Sequence, residues 1–256
     1  MMIDLNKYNS STQLPLPTVE GKVTQVVGML IEGNAQHAAV GDLYRIGPRS
    51  SKLLAEVVAL KEEKAILVPY GNMSGLKIGD RMIAVGGSAT IEISDALKGR
   101  VIDALGNPLD GGKKISKGIK YPIYCEPLPP GQRSPIDEKI SLGIRSLDAF
   151  TPMGKGQRMG IFAGPGVGKS VTLGMIARSS KADVAVLCLV GERGREVGHF
   201  VDNVLGPKGM KKSIVVCATS DRPPQERVRV AYVATSIAEY FRDRGKNVLL
   251  FVDSLT

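Results

Sequence analysis

The chain has 256 residues, 43% hydrophobic and 23% charged, which is room for one large or two smaller cores and excludes wholesale disorder. No run approaches the ~18 consecutive apolar residues of a membrane span, and the N-terminus MMIDLNKYNSSTQLPLP lacks the basic start and apolar run of a secretory signal. The net charge of +9 is uneven: residues 1–92 carry nine Lys and Arg against nine Asp and Glu, and the rest carry 25 against 16, so the second part suits anionic partners without choosing among them.

Residues 1–18 are polar, with Pro15 and Pro17 near their end, and read as an arm. Short β-type runs follow: Lys22–Ile31, Leu43–Ile46, Leu53–Leu60, Ala65–Pro69, Met82–Val85 and Ala89–Ile93. Turn signals at Gly33-Asn34, Gly41-Asp42, Gly71-Asn72 and Gly79-Asp80 separate them. Many short strands in so few residues predict a small closed β-barrel. The proline-rich segment Tyr121–Arg133 reads as a linker.

From Lys155 the pattern is α/β. Arg158–Ala163 predicts a short strand and Lys169–Arg178 a helix. Val184–Val190 is apolar throughout, as a strand covered on both faces should be. Gly194–Leu205 predicts a second helix and Ser213–Ala218 another buried strand. Pro223–Arg244 predicts a long helix capped by Asp221 and ended by Gly245, and Val248–Val252 the next strand. Strand–helix alternation implies right-handed crossovers and a mainly parallel sheet. Of the three cysteines, too few and too scattered for a disulfide framework or zinc site, Cys188 and Cys217 fall in these apolar runs and read as reduced core residues, which suits the cytosol.

Three features carry chemistry. Ala163-Gly164-Pro165-Gly166-Val167-Gly168-Lys169-Ser170 matches the phosphate-loop pattern except that Ala163 stands at its first glycine. Glycines there let backbone N–H groups curl toward phosphate oxygens at a helix N-terminus. Lys169 is placed to reach the β- and γ-phosphates and the Ser170 hydroxyl to ligate Mg²⁺. Asp253 follows the apolar run 247–252, which delivers a carboxylate to the sheet edge where open α/β sheets bind ligands. Glu192 emerges where the run 184–190 ends, on that same edge, and is a candidate for polarising a water for attack on a γ-phosphate. Arg193 beside it is placed to offset phosphoryl charge, while Arg195 and Glu196 read as a solvated helix start. His37 and His199 lack partners at metal-ligand spacing, and there is no interleaving of aromatic and basic residues of the kind a single-stranded nucleic-acid platform uses.

Gly99-Arg100-Val101-Ile102-Asp103-Ala104-Leu105-Gly106-Asn107-Pro108-Leu109-Asp110-Gly111 resembles the "GRVxDxxGxPxDG" stretch of the rotary-ATPase superfamily, and Gly156–Gly164 continues the likeness. Gly191–Glu196, Ala218–Pro224 and Ile237–Asp243 resemble one branch of it, the type III protein-export ATPases of flagella and injectisomes. The resemblance runs from about residue 19 to the end. It implies an α/β fold: a RecA-like P-loop NTPase domain with a parallel sheet, preceded by a small N-terminal β-barrel. The corresponding division is an arm at 1–18, the barrel at 19–92 and an ATPase domain at 93–256 that stops after the strand carrying Asp253.

The same resemblance implies ATP as substrate and Mg²⁺ as cofactor. Gly164, Pro165, Gly166, Val167, Gly168, Lys169 and Ser170 would hold the phosphates, and Ser170 and Asp253 the metal. Glu192 would polarise the water, with Arg193 and Lys169 at the γ-phosphate. It implies a cytoplasmic homohexamer at the inner-membrane base of the export apparatus. Its partners would be a stator-like regulator, export chaperones with their substrates, and the export gate, with no specific nucleic acid. Members of this branch continue well beyond the metal-side aspartate, so the chain is expected to be a fragment or shortened form lacking the arginine finger and hydrolysing ATP poorly alone. Competing assignments are a rotary proton- or sodium-translocating subunit, a hexameric RNA translocase resembling the transcription terminator, and a non-catalytic binding module. The RNA reading fits poorly with a neutral N-terminal region.

Overall fold

The computed structural model describes residues 20–48, 53–85, 89–115, 117–164 and 166–254, so the expected arm at 1–18 lies outside the described residues. The chain forms two compact units, which divide after Ser88.

The first unit is a closed six-stranded antiparallel barrel. Its strands are β1 (Glu20–Val27), β2 (Leu30–Asn34), β3 (Leu43–Ile46), β4 (Leu53–Lys61), β5 (Lys64–Tyr70) and β6 (Arg81–Ala84). They pair in the order β1-β2-β5-β4-β3-β6, and β6 closes on β1 through Gly21 opposite Met82. Alternating residues fill the interior, among them Val23, Ile31, Ile46, Val57, Leu67 and Met82. Two readings of this region are corrected. The run Lys22–Ile31 is not one strand: Gly28, at φ +59°, turns it into the β1–β2 hairpin, with Val27 opposite Leu30. Gly33-Asn34 is not a turn but the end of β2, opposite Val23 and Lys22. Gly33 is there for space, since a Cβ on it would fall 2.1 Å from the sulfur of buried Met82.

The second unit contains a parallel sheet ordered β14-β12-β13-β8. These strands are β8 (Val101–Ile102), β12 (Val184–Val190), β13 (Ser213–Ala218) and β14 (Val248–Asp253). Alternation sends Ala185, Leu187, Leu189, Val215 and Cys217 into one core, with Ala177 of α2 (Lys169–Ser179) and Phe200, Val204 and Leu205. Helix α5 (Pro224–Arg242) packs on the sheet through Val230, Val233, Ala234, Ile237 and Phe241, all buried. Cys188 and Cys217 are buried as expected, and burial pushes the Cys188 thiol up to about 12.

The remaining strands are short: β7 (Thr90–Ile93), β9 (Ile119–Pro122), β10 (Lys139–Ile140) and β11 (Met153–Gly154). The run Ala89–Ile93, grouped from sequence with the barrel's strands, forms β7 and pairs antiparallel with β9 in the second unit, because the barrel is already closed by β6. Tyr121 and Pro122 therefore belong to a strand rather than to a linker. Helix α1 spans Arg145–Phe150. The predicted helix Gly194–Leu205 begins as α3 (Gly194–His199), continues with π geometry over Phe200–Leu205 and meets α4 (Gly206–Met210). The long helix starts at Pro224 with Pro223 at its N-cap, so Asp221 does not cap it; the carboxylate is bonded to Thr219 instead. Arg158–Ala163 is not a strand. A ladder needs a partner about 4.8 Å away, and a cavity of about 830 Å³ lies between residues 159–164 and the strand β14.

The stretch Gly99–Gly111 folds as a side-chain-stapled hairpin around β8, which also bonds to β13 and to Arg229. Asp103 accepts from the Leu105 and Asn107 amides at 2.8 Å and from the Asn107 side chain at 2.9 Å. Arg100 donates to both oxygens of Asp110, at 2.6 and 2.8 Å, and Asp110 also accepts from the Val101 and Gly112 amides. That set of donors holds the Asp110 carboxyl well below the usual range. Gly106 turns the loop at φ +75°.

Candidate active site

Strand β14 hydrogen-bonds to β12 with Asp253 opposite Leu189, one residue short of the end of β12. That parallel register brings Asp253 and the Gly191-Glu192-Arg193 turn to the same sheet edge. The phosphate-loop segment arrives there as well. Gly166 and Gly168 take φ +78° and +101°, backbone angles that favour glycine. Gly168 is the N-cap of α2, so Lys169 and Ser170 are its first two helical residues. Ser170 is exposed, and Val167 projects into solvent at 73% exposure. Pro165 lies outside the described residues.

The predicted residues meet through Lys169. Its Nζ donates to Asp253 Oδ1 at 2.5 Å across 84 residues of sequence. The Asp253 side chain is 7% exposed and that of Lys169 33%. Glu192 lies in the field of the same pair. Burial is the main cause that raises its carboxyl above the ordinary range; a hydrogen bond to Glu196 and the charges of Asp253 and Glu196 raise it further, and Lys169 opposes them. A carboxyl shifted by burial and neighbouring charge beside a lysine at a sheet edge marks a candidate for proton handling. Arg193 donates to Glu196 at 3.1 Å. Glu196, read from sequence as solvated, is therefore the residue that sequence reasoning missed. Its signal was its spacing: three residues after Arg193 and four after Glu192, on the first turn of α3. Two backbone bonds tie the turn after β12 to the end of β13 and the loop beyond it: the Gly191 amide donates to the Ala218 carbonyl at 2.7 Å, and the Ser220 amide to the Glu192 carbonyl at 3.0 Å.

Among the described residues no group of three or more His, Cys, Asp or Glu could cage a metal. One buried carboxylate and one helix-start hydroxyl suit Mg²⁺, which takes few protein ligands and completes its shell with water and phosphate oxygens. A glycine-turned loop, a lysine and a carboxylate gathered at the C-terminal edge of a parallel sheet define a P-loop nucleotide-binding protein.

The comparisons with known proteins narrow that class. The nucleotide-binding domain of the ATP synthase alpha/beta family matches residues 143–256, and the beta-barrel domain of the same family matches residues 23–86. The chain belongs to the ATP synthase alpha/beta family. It is 48% identical over 241 residues to a flagellum-specific ATP synthase of Bacillus subtilis, covering 92% of this chain and 55% of the relative. It is 45% identical to a type 3 secretion system ATPase of Xanthomonas euvesicatoria, covering 92% and 54%. A solved structure of the assembled ATPase EscN with its central stalk EscO, from the type III secretion system of enteropathogenic E. coli, superposes with a TM-score of 0.85 at 43% identity, covering 92% of this chain and 57% of that one. The chain thus spans about half the length of the curated relatives it matches. No helix among the described residues is long and apolar enough to cross a membrane.

Proposed function

We propose that this chain carries the nucleotide-handling part of an ATPase that drives type III protein export, with a lean toward the flagellar system. The observation that supports this best is the meeting of Lys169, Asp253 and Glu192 at one sheet edge, in a chain 41–48% identical to flagellum-specific relatives. Gly164 to Ser170, Pro165 included, cradle the triphosphate of ATP, and the α2 N-terminus faces its negative charge. Lys169 binds the β- and γ-phosphates. Ser170 and Asp253 would hold Mg²⁺, which would supply compensation for the charge that builds on the transferred phosphoryl group. Glu192 orients and polarises the attacking water, and Arg193 contacts the γ-phosphate. In this reading the protein works as a cytoplasmic homohexamer at the inner membrane. A stator-like regulator, export chaperones with their cargo, and the export gate are its partners.

The test is a titration with a fluorescent ATP analogue and Mg²⁺, beside Lys169→Ala, with phosphate release followed in the same samples. Saturable binding that Lys169→Ala weakens without abolishing is expected. Equal binding by both forms would remove the phosphate-loop assignment.

A further inference from the structure

We propose that Asp253 is also a positioning residue for Lys169: it holds the ammonium until a divalent cation displaces it, so the loop takes up nucleotide together with its metal and discriminates against metal-free nucleotide. This inference rests on the nucleotide-binding reading above.

The geometry sets up a competition for one carboxylate. Lys169 Nζ lies 2.5 Å from Asp253 Oδ1. A magnesium ion held by the same carboxylate, directly or through water, would have to share it with the ammonium, and two cations close on one anionic group repel each other. Arrival of the metal therefore drives the ammonium off, and the flexible four-carbon stem lets it swing to the phosphates. Metal-free ATP meets the opposite situation. To engage Lys169 it must strip the partner from a carboxylate that is only 7% exposed. An uncompensated buried charge is costly. The phosphates would then face the bare Asp253, with Glu192 close enough to interact with both members of the pair. Metal binding and lysine delivery become one event.

The test is equilibrium binding of a fluorescent ATP analogue in EDTA and in Mg²⁺. The proteins are the wild-type chain, Asp253→Asn, Lys169→Ala and the double variant. With Lys169 present, Asp253→Asn is expected to tighten metal-free binding about tenfold, equivalent to about 1.4 kcal/mol, and to shrink the gain from Mg²⁺. In the Lys169→Ala background the same substitution should change metal-free binding less than ~2-fold, because the pair is already gone. An equal gain in both backgrounds would mean that only charge repulsion was relieved and would overturn the proposal; so would no gain in either. If Asp253→Asn does not fold, Asp253→Ser enters the same cycle: a rise in metal-free affinity confined to the background that keeps Lys169 is expected, and an equal rise in both backgrounds, or none, overturns the proposal. If the wild-type chain binds nothing even with Mg²⁺, the nucleotide-binding reading itself fails. Tight Mg²⁺-dependent binding with no Asp253→Asn effect in EDTA defeats this inference alone.

Discussion

Gly99–Gly111 and Ala163–Ser170 look alike in sequence, both punctuated by glycine and both carrying charged or hydroxyl residues. In the structure they do opposite things with their polar atoms. Asp103, Arg100 and Asp110 bond within or beside their own hairpin. Around the phosphate loop, a Cβ on Gly166 or Gly168 would meet nothing within 4 Å, Val167 is exposed, and Lys169 reaches a different strand. A motif whose polar atoms close on themselves fixes a fold; one whose polar atoms face open space or a remote partner is available to a ligand.

Substitutions separate the two roles. The largest effect is expected from Glu192→Gln, which should lower single-turnover phosphate release by ~10²–10⁴ while nucleotide affinity stays within a few-fold; rapid-quench measurement beside a binding titration checks both. On the other side, Asp110→Asn should cost ~1.5–3 kcal/mol of stability at neutral pH, as loss of a charged hydrogen-bonded pair, and leave nucleotide affinity untouched. Because the folded Asp110 carboxyl lies below its unfolded value near ~3.9, its contribution is complete above about pH 5 and fades as pH falls further. Denaturant melts of wild type and variant should converge in acid; a constant gap down to the lowest pH would show that the pair is not the cause. Gly168→Ala should cost ~1–2 kcal/mol by forcing a side chain into left-handed backbone, with a measurable loss of nucleotide affinity in the same titration. The smallest effect has the opposite sign. Folding raises the Glu192 carboxyl, so the wild type loses stability as pH rises through and above ~4.3. Glu192→Gln escapes that loss and should melt slightly higher at neutral pH, with the difference growing from acid to neutral. A lower melting temperature at pH 7 would contradict the burial account of this carboxyl.

Sequence patterning revealed the buried strands Val184–Val190 and Ser213–Ala218 to the residue, because strands covered on both faces are unbroken apolar runs. The barrel's existence was legible, and its inner details were not. Gly33 resembles a turn signal, yet it sits in β2 because Met82, 49 positions along the chain, needs the space. Long-range packing of this kind leaves no local mark. The same holds for Arg158–Ala163, whose apolar pattern fits a strand although no neighbouring strand is in place to pair with it. For the site, Lys169, Asp253 and Glu192 were readable from spacing, since each follows or begins a regular element at the same sheet edge. Glu196 was not, because an exposed glutamate in a first helical turn has the same sequence signature whether it caps charge or holds a neighbour. The contact between Lys169 and Asp253 was equally hidden, being a matter of side-chain reach and not of pattern.

The two backbone bonds that tie the turn after β12 to the end of β13 and its following loop constrain slow motions. The Gly191 amide is fastened to Ala218, and the Ser220 amide to the carbonyl of Glu192 itself. Neither loop can open by itself without breaking a bond to the other. Their amide protons should therefore exchange with solvent as one cooperative unit, at a rate set by the joint opening of both turns. Residues 219–224 thereby act on the general-base candidate as a tether, and a ligand that stills one loop slows exchange in the other.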